Sequence, residues 1–402
     1  MQAQRTGPLQ DVTIIDCSMA YAGPFGTVLL ADLGANVIKV ERPAGDWSRP
    51  ADHFTVDGEQ NAQFIALNRN KRNIGLDVAS AGGRRVLARM VARADVLLSN
   101  YRPGVMGRLG FGYEDCRTLR PDLIYCTISG FGQTGAYAQN PASDTIIQAM
   151  SGLMSLVGEA DGPPMRVGFP MIDMAAANYA VQGILLSLYG RQNGHGGANL
   201  DISLMAAALG LMTAGYTRYR ASGVVPLRQG NENKNLAPAG AYRGGDGRYF
   251  TIAILRDEHW RKFCEALGLK GFAGDAGLAT NRQRVERRAE IDGVIAPLFA
   301  GQPAAYWLER LSGADILCGP INTYEDIAND PNLVSQLPLV AGMASGVPEA
   351  IGVPIRRNGG YSATYRPAPA KGQNTREVLA AFGFGEAEID GLLAEKAAFE
   401  TP

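Results

Sequence analysis

The amino-acid sequence predicts an α/β fold whose larger part is a Rossmann-like half built on a parallel sheet. Short β-branched runs alternate with helical patterns over the first 130 residues, and strands that alternate with helices form parallel sheets with right-handed crossovers. The chain has 402 residues, enough for two or three domains at roughly 150 residues each. Its apolar fraction of 46% and charged fraction of 19% are ordinary for a globular protein.

The first part of the chain carries the strand and helix patterns that predict the parallel sheet. The expected strands are VTIID (12–16), NVIKVE (36–41), DVLLSN (95–100) and LIYCTIS (123–129). The expected helices are FGTVLLADLGA (25–35), ended by Gly34, and RRVLARMVARA (84–94). The second helix places Val86, Leu87, Met90, Val91 and Ala94 on one face, as a core-facing helix does.

The rest of the chain predicts further helices and a second, smaller domain. Residues 144–190 are mainly helical with a break at Asp173, and residues 196–215 form a strand that leads into an apolar helix. A glycine-rich polar stretch at 223–247 is typical of a linker. A strand at 248–255 and a helix at 257–268, with an acidic start that suits the helix dipole, then begin a small α/β domain that ends near residue 330.

Composition argues against several classes of protein. Lys plus Arg is 38 and Asp plus Glu is 39, whereas a nucleic-acid binder shows a basic excess. No uninterrupted apolar stretch reaches the roughly 18 residues of a membrane helix, and MQAQRTGPLQDV lacks the apolar core of a signal peptide, so we expect a cytoplasmic protein. The five cysteines form no CxxC pair and His53, His195 and His259 lie far apart, so no metal site is expected.

Known nucleotide and hydrolase motifs do not fit. GFGQTG (130–135) matches GxGxxG after a strand, but AYAQNPASD follows it and predicts a loop rather than a helix. AGPFG (22–26) opens a helix, and Glu41 ends the next strand as a ribose-binding acid would, yet the glycines are too few. There is no GxSxG and no P-loop sequence. These patterns disfavour a nicotinamide enzyme, a serine hydrolase and a P-loop protein.

Basic residues recur where predicted strands end. Arg42, Lys71, Arg72, Arg102 and Arg108 occupy such positions. In an open α/β sheet, ligands bind at the carboxyl ends of the strands, and arginine pairs well with phosphate oxygens. Any one of these cations is typical of a solvated face, but their recurrence favours a polyphosphate site.

Asp173 is the one carboxylate in the apolar stretch RVGFPMIDMAAANYA (166–180). An aspartate ahead of a helix is most often its N-cap. Apolar neighbours desolvate a carboxylate while a helix N-terminus favours its charge, and such a group is a workable nucleophile towards an activated acyl group. The residues alone leave both interpretations open.

Six characteristic blocks occur in order along the chain. They are DCSMAYAGPFGTVLLADLGANVIKVERPAGD, LNRNKRNIGLD, NYRPGVMGRLGFGYEDCRTLRPDLIYCTISGFGQTGAY, RVGFPMIDMAAANYAVQGIL, CGPINTYEDIANDPNL and APAKGQNTREVL. Together they resemble the class III CoA-transferase family, which also holds formyl-CoA transferase, carnitine CoA-transferase and α-methylacyl-CoA racemase. The similarity runs from about residue 8 to 380.

The resemblance implies an architecture and a set of site residues. A large Rossmann-like CoA-binding domain would comprise 1–222 and 331–402, with a small α/β domain at 223–330, in a homodimer of interlocked ring-like subunits whose active site lies at the interface. Asp173 falls on the family's catalytic aspartate, and Ala20 and Tyr21 would flank the thioester. The residues implied to line the CoA site are Arg42, Leu76, Asn100, Tyr101, Arg102 and Arg108.

The resemblance also implies a mechanism without a metal. Asp173 would attack an acyl-CoA thioester to form a mixed anhydride, and CoA would convert it to an aspartyl-CoA thioester. An acceptor carboxylate would then take over the CoA. The implied substrates are an acyl-CoA and a small carboxylic acid.

Departures from the family pattern narrow the expected reaction. Racemase members carry a histidine directly before the aspartate of the block PASDTIIQ, where this chain has Ser143 before Asp144. Because 1,1-proton transfer then lacks one partner, a racemase or isomerase is kept only as the alternative. Tyr21 replaces a glutamine of formyl-CoA transferase, and RQGNENKNLAPAG replaces its glycine run. These two changes disfavour oxalate and favour a larger acid.

Overall fold

The structure of the protein is a computed structural model that describes residues 7–50, 55, 60–344, 347–360 and 365–400. Two compact units are present. The first comprises Met1–Leu153, Arg166–Val224 and Leu337–Pro402, and the second Met154–Met165 and Val225–Gln336. Residues 154–165 and 331–336, predicted to belong to the large domain, lie in the second unit. Residues 223–224, predicted to belong to the small domain, lie in the first. His53 lies outside the described residues.

The described residues form twelve strands and eighteen α-helices, divided between the two units. The strands are β1 (Thr13–Cys17), β2 (Asn36–Glu41), β3 (Arg72–Leu76), β4 (Val96–Ser99), β5 (Ile124–Ser129), β6 (Ala198–Ser203), β7 (Ala239–Arg243), β8 (Tyr249–Ala253), β9 (Leu317–Pro320), β10 (Leu339–Ala344), β11 (Val347–Ile351) and β12 (Ala398–Phe399). The helices are α1 (Ala22–Asp32), α2 (Ala62–Asn68), α3 (Ala81–Val91), α4 (Val105–Arg108), α5 (Tyr113–Leu119), α6 (Asp144–Met150), α7 (Met171–Gln192), α8 (Leu204–Leu211), α9 (Thr213–Ser222), α10 (Asp257–Leu267), α11 (Lys270–Ala273), α12 (Asn281–Glu286), α13 (Arg288–Phe299), α14 (Ala304–Gly313), α15 (Tyr324–Asn329), α16 (Pro331–Val334), α17 (Thr375–Ala381) and α18 (Glu386–Ala394).

The sheet of the first unit is mainly parallel, which confirms the predicted α/β class. Among the described residues it has seven strands in the order β12-β3-β2-β1-β4-β5-β6, and only β12 runs antiparallel to its neighbour. The predicted strands match β1, β2, β4 and β5, whereas β3 was missed. In β3, the buried Asn73 interrupts the apolar pattern, and its amide donates to Glu41 Oε2 at 2.6 Å.

The strand order places a crevice at the end of the sheet's two central strands. From β1 the chain moves to β2 on one side, and from β4 it moves to β5 on the other. Because these two connections leave in opposite directions, neither of them covers the space between the carboxyl ends of β1 and β4. Ligands of doubly wound sheets bind at this switch point. The segments that follow these strands begin at Ser18 and Asn100.

Both faces of this sheet are packed. A core of buried apolar residues joins one face to α3, α5, α17 and α18, while α1, α7 and α8 pack together in contact with strands of the same sheet. The predicted face of α3 is confirmed, because all five of its named apolar residues are buried. The helix begins earlier than predicted since the Ser80 hydroxyl accepts from the Gly83 backbone N–H at 2.9 Å.

Helix α7 is long and mostly apolar. Among the described residues it is the one helix whose length of 22 residues and composition would suffice to cross a membrane. It packs against α1, α8, β5 and β6, and a core helix of a globular protein has the same composition.

The second unit has its own antiparallel sheet and apolar core. Its described strands follow the order β7-β8-β9, and β8 corresponds to the predicted strand at 248–255. The predicted helix at 257–268 is α10, which ends at Gly268 with a φ of 75°. Strand β7 lies inside the segment predicted as a linker. The sequence did not predict this strand because AGAYR contains no β-branched residue.

Candidate active site

A cavity of about 390 Å³ opens at the carboxyl ends of β1, β4 and β5. Its walls come from the loops that follow these strands, from residues 138–145, and from the start of α7. All of these lining residues belong to the first unit. The crevice predicted by the strand order is therefore a real concave site, which is where an α/β protein holds its ligand.

The loop after β1 is held in an unusual backbone conformation. Ala20 has a φ of 66°, which residues with a side chain rarely adopt. Asn100 fixes the preceding residue, because its Oδ1 accepts from the Met19 N–H at 2.9 Å and its Nδ2 donates to the Met19 carbonyl at 2.7 Å. The Ala20 N–H also donates to Asp46 Oδ1 at 3.4 Å. Asn100 thus joins the loops of β1 and β4 on the cavity wall.

Buried charges lie beneath this loop. Lys39 Nζ is 2.8 Å from Asp46 Oδ2 and donates to the Ser18 carbonyl at 2.8 Å. Lys71 Nζ is 3.1 Å from Asp16 Oδ2. Burial alone would raise the pKa of Asp16, but the neighbouring lysines and two hydroxyl groups lower that pKa to about 2. These ion pairs hold the loop from below.

Most of the sequence-predicted site residues meet in the cavity. Its lining includes Ala20, Tyr21, Asn100, Tyr101, Arg102 and Asp173. Burial, followed by the negative charge of neighbouring groups, raises the pKa of Tyr101 to about 12, and Arg42 is close enough to act in the opposite direction. Arg42 is exposed, and so is Arg108 on the short helix α4.

Three other residues singled out from the sequence lie elsewhere. Leu76 is fully buried in the apolar core on β3, so the structure does not bring its side chain to the cavity. The interpretation of Lys71 as a phosphate-binding cation is wrong, because the buried ammonium is paired with Asp16. Arg72 is also engaged, since its Nη1 is 2.9 Å from Glu377 Oε1.

Asp173 lies at the start of α7 but does not cap it. It is the third residue of the helix, and the N-cap position is Pro170, which offers no side-chain acceptor. The acceptor comes from Asp144 on α6, whose Oδ2 receives the Ile172 N–H at 2.7 Å and the Asp173 N–H at 3.2 Å. The N-cap interpretation of Asp173 is therefore wrong. Asp144 had been noted only for the residue before it, and no sequence signal linked it to α7.

The carboxyl group of Asp173 has an environment that disfavours its charge. Burial is the larger cause and the negative charge of Asp144 the smaller, and together they raise the pKa of Asp173 to about 7. Near neutral pH the group is therefore divided between its neutral and charged forms. A half-buried carboxylate of raised pKa in a cleft is typical of a functional residue. Among the described residues, no cluster of histidine, cysteine and acidic side chains could hold a metal ion.

This fold and cavity define an α/β protein with a concave site at the switch point of a mainly parallel sheet. A sequence model described as CoA-transferase family III matches residues 9–375. The chain belongs to CoA-transferase family III, which confirms the family and the enzyme class predicted from its sequence blocks.

Characterised relatives and a solved structure agree with this assignment. An acetyl-CoA:oxalate CoA-transferase of Acetobacter aceti is 35% identical over 92% of this chain and 94% of its own length. A succinyl-CoA:glutarate CoA-transferase of Mus musculus is 34% identical over 96% and 89%. The crystal structure of a CAIB/BAIF family protein from Brucella suis has a TM-score of 0.85 and 32% identity, and the match covers 94% of this chain and 99% of that one.

Proposed function

We propose that this CoA-transferase moves CoA from an acyl-CoA thioester to a free carboxylic acid through covalent intermediates on Asp173. The observation that carries the proposal is the placement of Asp173, a half-buried carboxylate of raised pKa, in one cavity with five other predicted site residues. Desolvation makes a carboxylate more basic and more nucleophilic, and it also keeps water away from a reactive anhydride.

The reaction divides into balanced steps. An oxygen of Asp173 attacks the thioester carbonyl and the C–S bond breaks. The CoA thiolate leaves, and a mixed anhydride of Asp173 and the donor acid remains. The thiolate then attacks the aspartyl carbonyl and expels the donor carboxylate, which leaves an aspartyl-CoA thioester. The acceptor carboxylate attacks that thioester to give a second anhydride, and the returning thiolate attacks its acyl side. Asp173 is regenerated as a carboxylate, and no proton, electron or metal is consumed.

The CoA portion fits the cationic side of the cavity. Arg102 lines the cavity directly, and Arg42 acts electrostatically on Tyr101 in the same wall. Arg108 is exposed on α4, five residues after Pro103 of the lining. Guanidinium groups bind phosphate oxygens in a bidentate manner. We therefore assign the phosphates of CoA to these arginines, while Leu76 has no place in this assignment.

The acid that accepts CoA is proposed to be larger than oxalate. Tyr21 lines the cavity at the position where formyl-CoA transferase carries a glutamine. The relatives differ in this respect, since one is named for oxalate and another for succinate and glutarate as acyl and acceptor groups. The preference for a larger acid rests on Tyr21 and on the loop RQGNENKNLAPAG, and it stays a prediction.

The direct test of the proposed function is to trap the intermediate. Incubation with an acyl-CoA and no acceptor, followed by hydroxylamine, should give a hydroxamate at Asp173, because the activated aspartyl group reacts with the amine. Peptide mass spectrometry locates the modification, and CoA without an acyl group serves as the control. CoA transfer that proceeds while Asp173 stays unmodified would exclude the mechanism.

A second assay on the same protein preparation distinguishes the isomerase alternative from the transferase. A racemase on this fold would exchange the α-proton of a 2-methylacyl-CoA with solvent deuterium and would need no acceptor acid. In the structure, Ser143 caps α6 by accepting from the Ile146 N–H, and a serine hydroxyl is a poor acid–base group. Deuterium uptake without an acceptor would favour the isomerase.

We also propose that the protein is a homodimer. Helix α9 buries none of its residues within the described chain, and apolar side chains on α7, α8 and α9 are exposed. These side chains are Leu186, Tyr189, Leu211, Tyr216 and Tyr219. Large exposed apolar side chains on three successive helices are typical of an interaction surface.

The dimer is tested by solution mass. Light scattering should give about twice the chain mass of 42.7 kDa. Replacing Tyr216, which is 53% exposed, with arginine should shift the equilibrium towards the monomer at micromolar protein, because a charge at a buried interface lacks a partner. The matched control is Leu119→Arg on α5, at a leucine that is 38% exposed. A monomeric wild-type protein would contradict the proposal.

A further inference from the structure

Two carboxylates lie at the start of α7, and the backbone N–H groups there donate to the one that belongs to another helix. Asp144 belongs to α6, yet its Oδ2 accepts from the N–H groups of Ile172 and Asp173 at 2.7 and 3.2 Å. The free N–H groups and the dipole of a helix start normally favour a negative charge nearby. Here the two N–H groups donate to Asp144 rather than to the side chain of Asp173.

Asp144 is itself fixed in place by Gln148. The Gln148 side chain is fully buried, and its Nε2 donates to Asp144 Oδ1 at 2.5 Å. Its Oε1 accepts the Val167 N–H at 2.8 Å, which ties the segment ahead of α7 to α6. Both oxygens of Asp144 therefore have donors, which fix its carboxylate beside the backbone of Asp173.

The contacts of the other titratable side chains around α7 differ from those of Asp144. The titratable side chains on the elements packed against α7 are Asp32 on α1, Asp144 on α6, Tyr125 and Cys126 on β5, and Asp201 on β6. In the cavity they are joined by Tyr21, Tyr101 and Arg102. Asp32 is paired with Arg69, and Asp201 accepts from the Gln133 N–H. Asp144 is the group that bonds the backbone of Asp173 itself.

We propose that Asp144 is a positioning residue that, held by Gln148, keeps a negative charge against Asp173 and so favours the acylated form of that side chain. The inference rests on the proposed function. When Asp173 forms its anhydride or its thioester, the carboxylate becomes neutral and its charge leaves with the thiolate or the donor acid. The repulsion from Asp144 is relieved in both intermediates. Asp144 thus destabilises the resting carboxylate and contributes to its reactivity without touching the substrate.

The test measures the charge of Asp173 without turnover. A water-soluble carbodiimide with an amine labels the protonated carboxyl group, so the labelling rate at Asp173 against pH gives its apparent pKa. In the wild-type protein we expect a midpoint near 7. In Asp144→Asn the amide oxygen can still accept from the helix while the charge is gone, and the midpoint should fall by about one pH unit. When acyl-CoA is added, the acylated fraction of Asp173 should be about tenfold lower in Asp144→Asn than in the wild-type protein.

Control variants separate charge from structure. Asp144→Glu keeps the charge and should keep the midpoint near that of the wild type, even where the capping geometry changes. Asp201→Asn removes an equal charge from β6 and should leave the midpoint unchanged. Asp144→Ser, whose hydroxyl can also accept at a helix start, provides a second neutral variant should the asparagine variant fail to fold.

The outcomes distinguish this inference from the proposed function. An unchanged midpoint in both neutral variants would overturn the role of Asp144, even where Asp173 is trapped as a hydroxamate. A shifted midpoint without any covalent adduct would support the electrostatic coupling and exclude Asp173 as the nucleophile. A shifted midpoint together with less acylated Asp173 is the result expected here.

Discussion

Replacing Asp173 with asparagine will abolish CoA transfer and at the same time stabilise the protein. Loss of a nucleophile that forms covalent intermediates should lower kcat by about 10⁴-fold or more, because no other group can carry the acyl chain. The same change removes a carboxyl group from surroundings that disfavour its charge. Activity is measured by the exchange of CoA between acids, and stability by equilibrium unfolding in urea.

The gain in stability depends on pH in a defined direction. In the folded protein the pKa of Asp173 is about 7, against a value of 3.8 for an unperturbed carboxyl group. The folded state therefore binds the proton more tightly, and wild-type stability falls as the pH rises from about 4 to about 7. The neutral asparagine avoids this loss. The stability gain of Asp173→Asn over the wild-type protein should be absent near pH 4 and complete above pH 7.

The size of the gain follows from the same pKa difference. A difference of about three pKa units corresponds to about 4 kcal/mol, and partial exposure of Asp173 reduces this to about 2 kcal/mol. Asp173→Ala is the companion variant, since alanine cannot revert to aspartate by deamidation. A variant that retains measurable transfer, or one whose stability relative to the wild type does not change with pH, would contradict this account of Asp173.

The sequence predicted the central strands because β-branched residues mark them directly. Strands β1, β2, β4 and β5 are buried along nearly their full length, and each has at least two consecutive apolar residues. Strand β3 was missed because Asn73 is a buried polar residue whose partners, Glu41 and Gly372, lie far away in the chain. Local patterns do not contain such partners.

The same distinction between local sequence patterns and partners distant in the chain applies to the candidate site. The recurrence of cations after strands selected Arg102, which lines the cavity, but it also selected Lys71, which the fold buries against Asp16. The role of Asp173 at the helix start was misjudged for a similar reason, since the acceptor for α7 is Asp144, which is 28 and 29 residues away from the two N–H groups. Sequence spacing predicts a local cap, whereas only the fold brings two helix starts together.

Replacing Lys39 with methionine will destabilise the protein and weaken the binding of acyl-CoA. Both partners of the Lys39–Asp46 pair are buried, with exposed side-chain fractions of 1% and 0%. Methionine fills similar space but leaves the Asp46 carboxylate without its counter-charge. Removal of one member of a buried ion pair costs about 3–5 kcal/mol. The free energy of unfolding in urea at pH 7 measures this loss.

The effect on binding follows from the position of the pair beneath the cavity loop. Lys39 also donates to the Ser18 carbonyl, and Asp46 accepts from the Ala20 N–H, so the loop that lines the cavity loses its support from below. We expect KM for acyl-CoA to rise more than kcat falls, because Asp173 stands on a different element. Arg282→Met breaks the exposed Arg282–Glu286 pair and should cost less than about 0.5 kcal/mol. Equal losses in the two variants would show that the buried pair does not support the loop, while partial recovery in Lys39→Met/Asp46→Asn would assign the loss to the unpaired carboxylate.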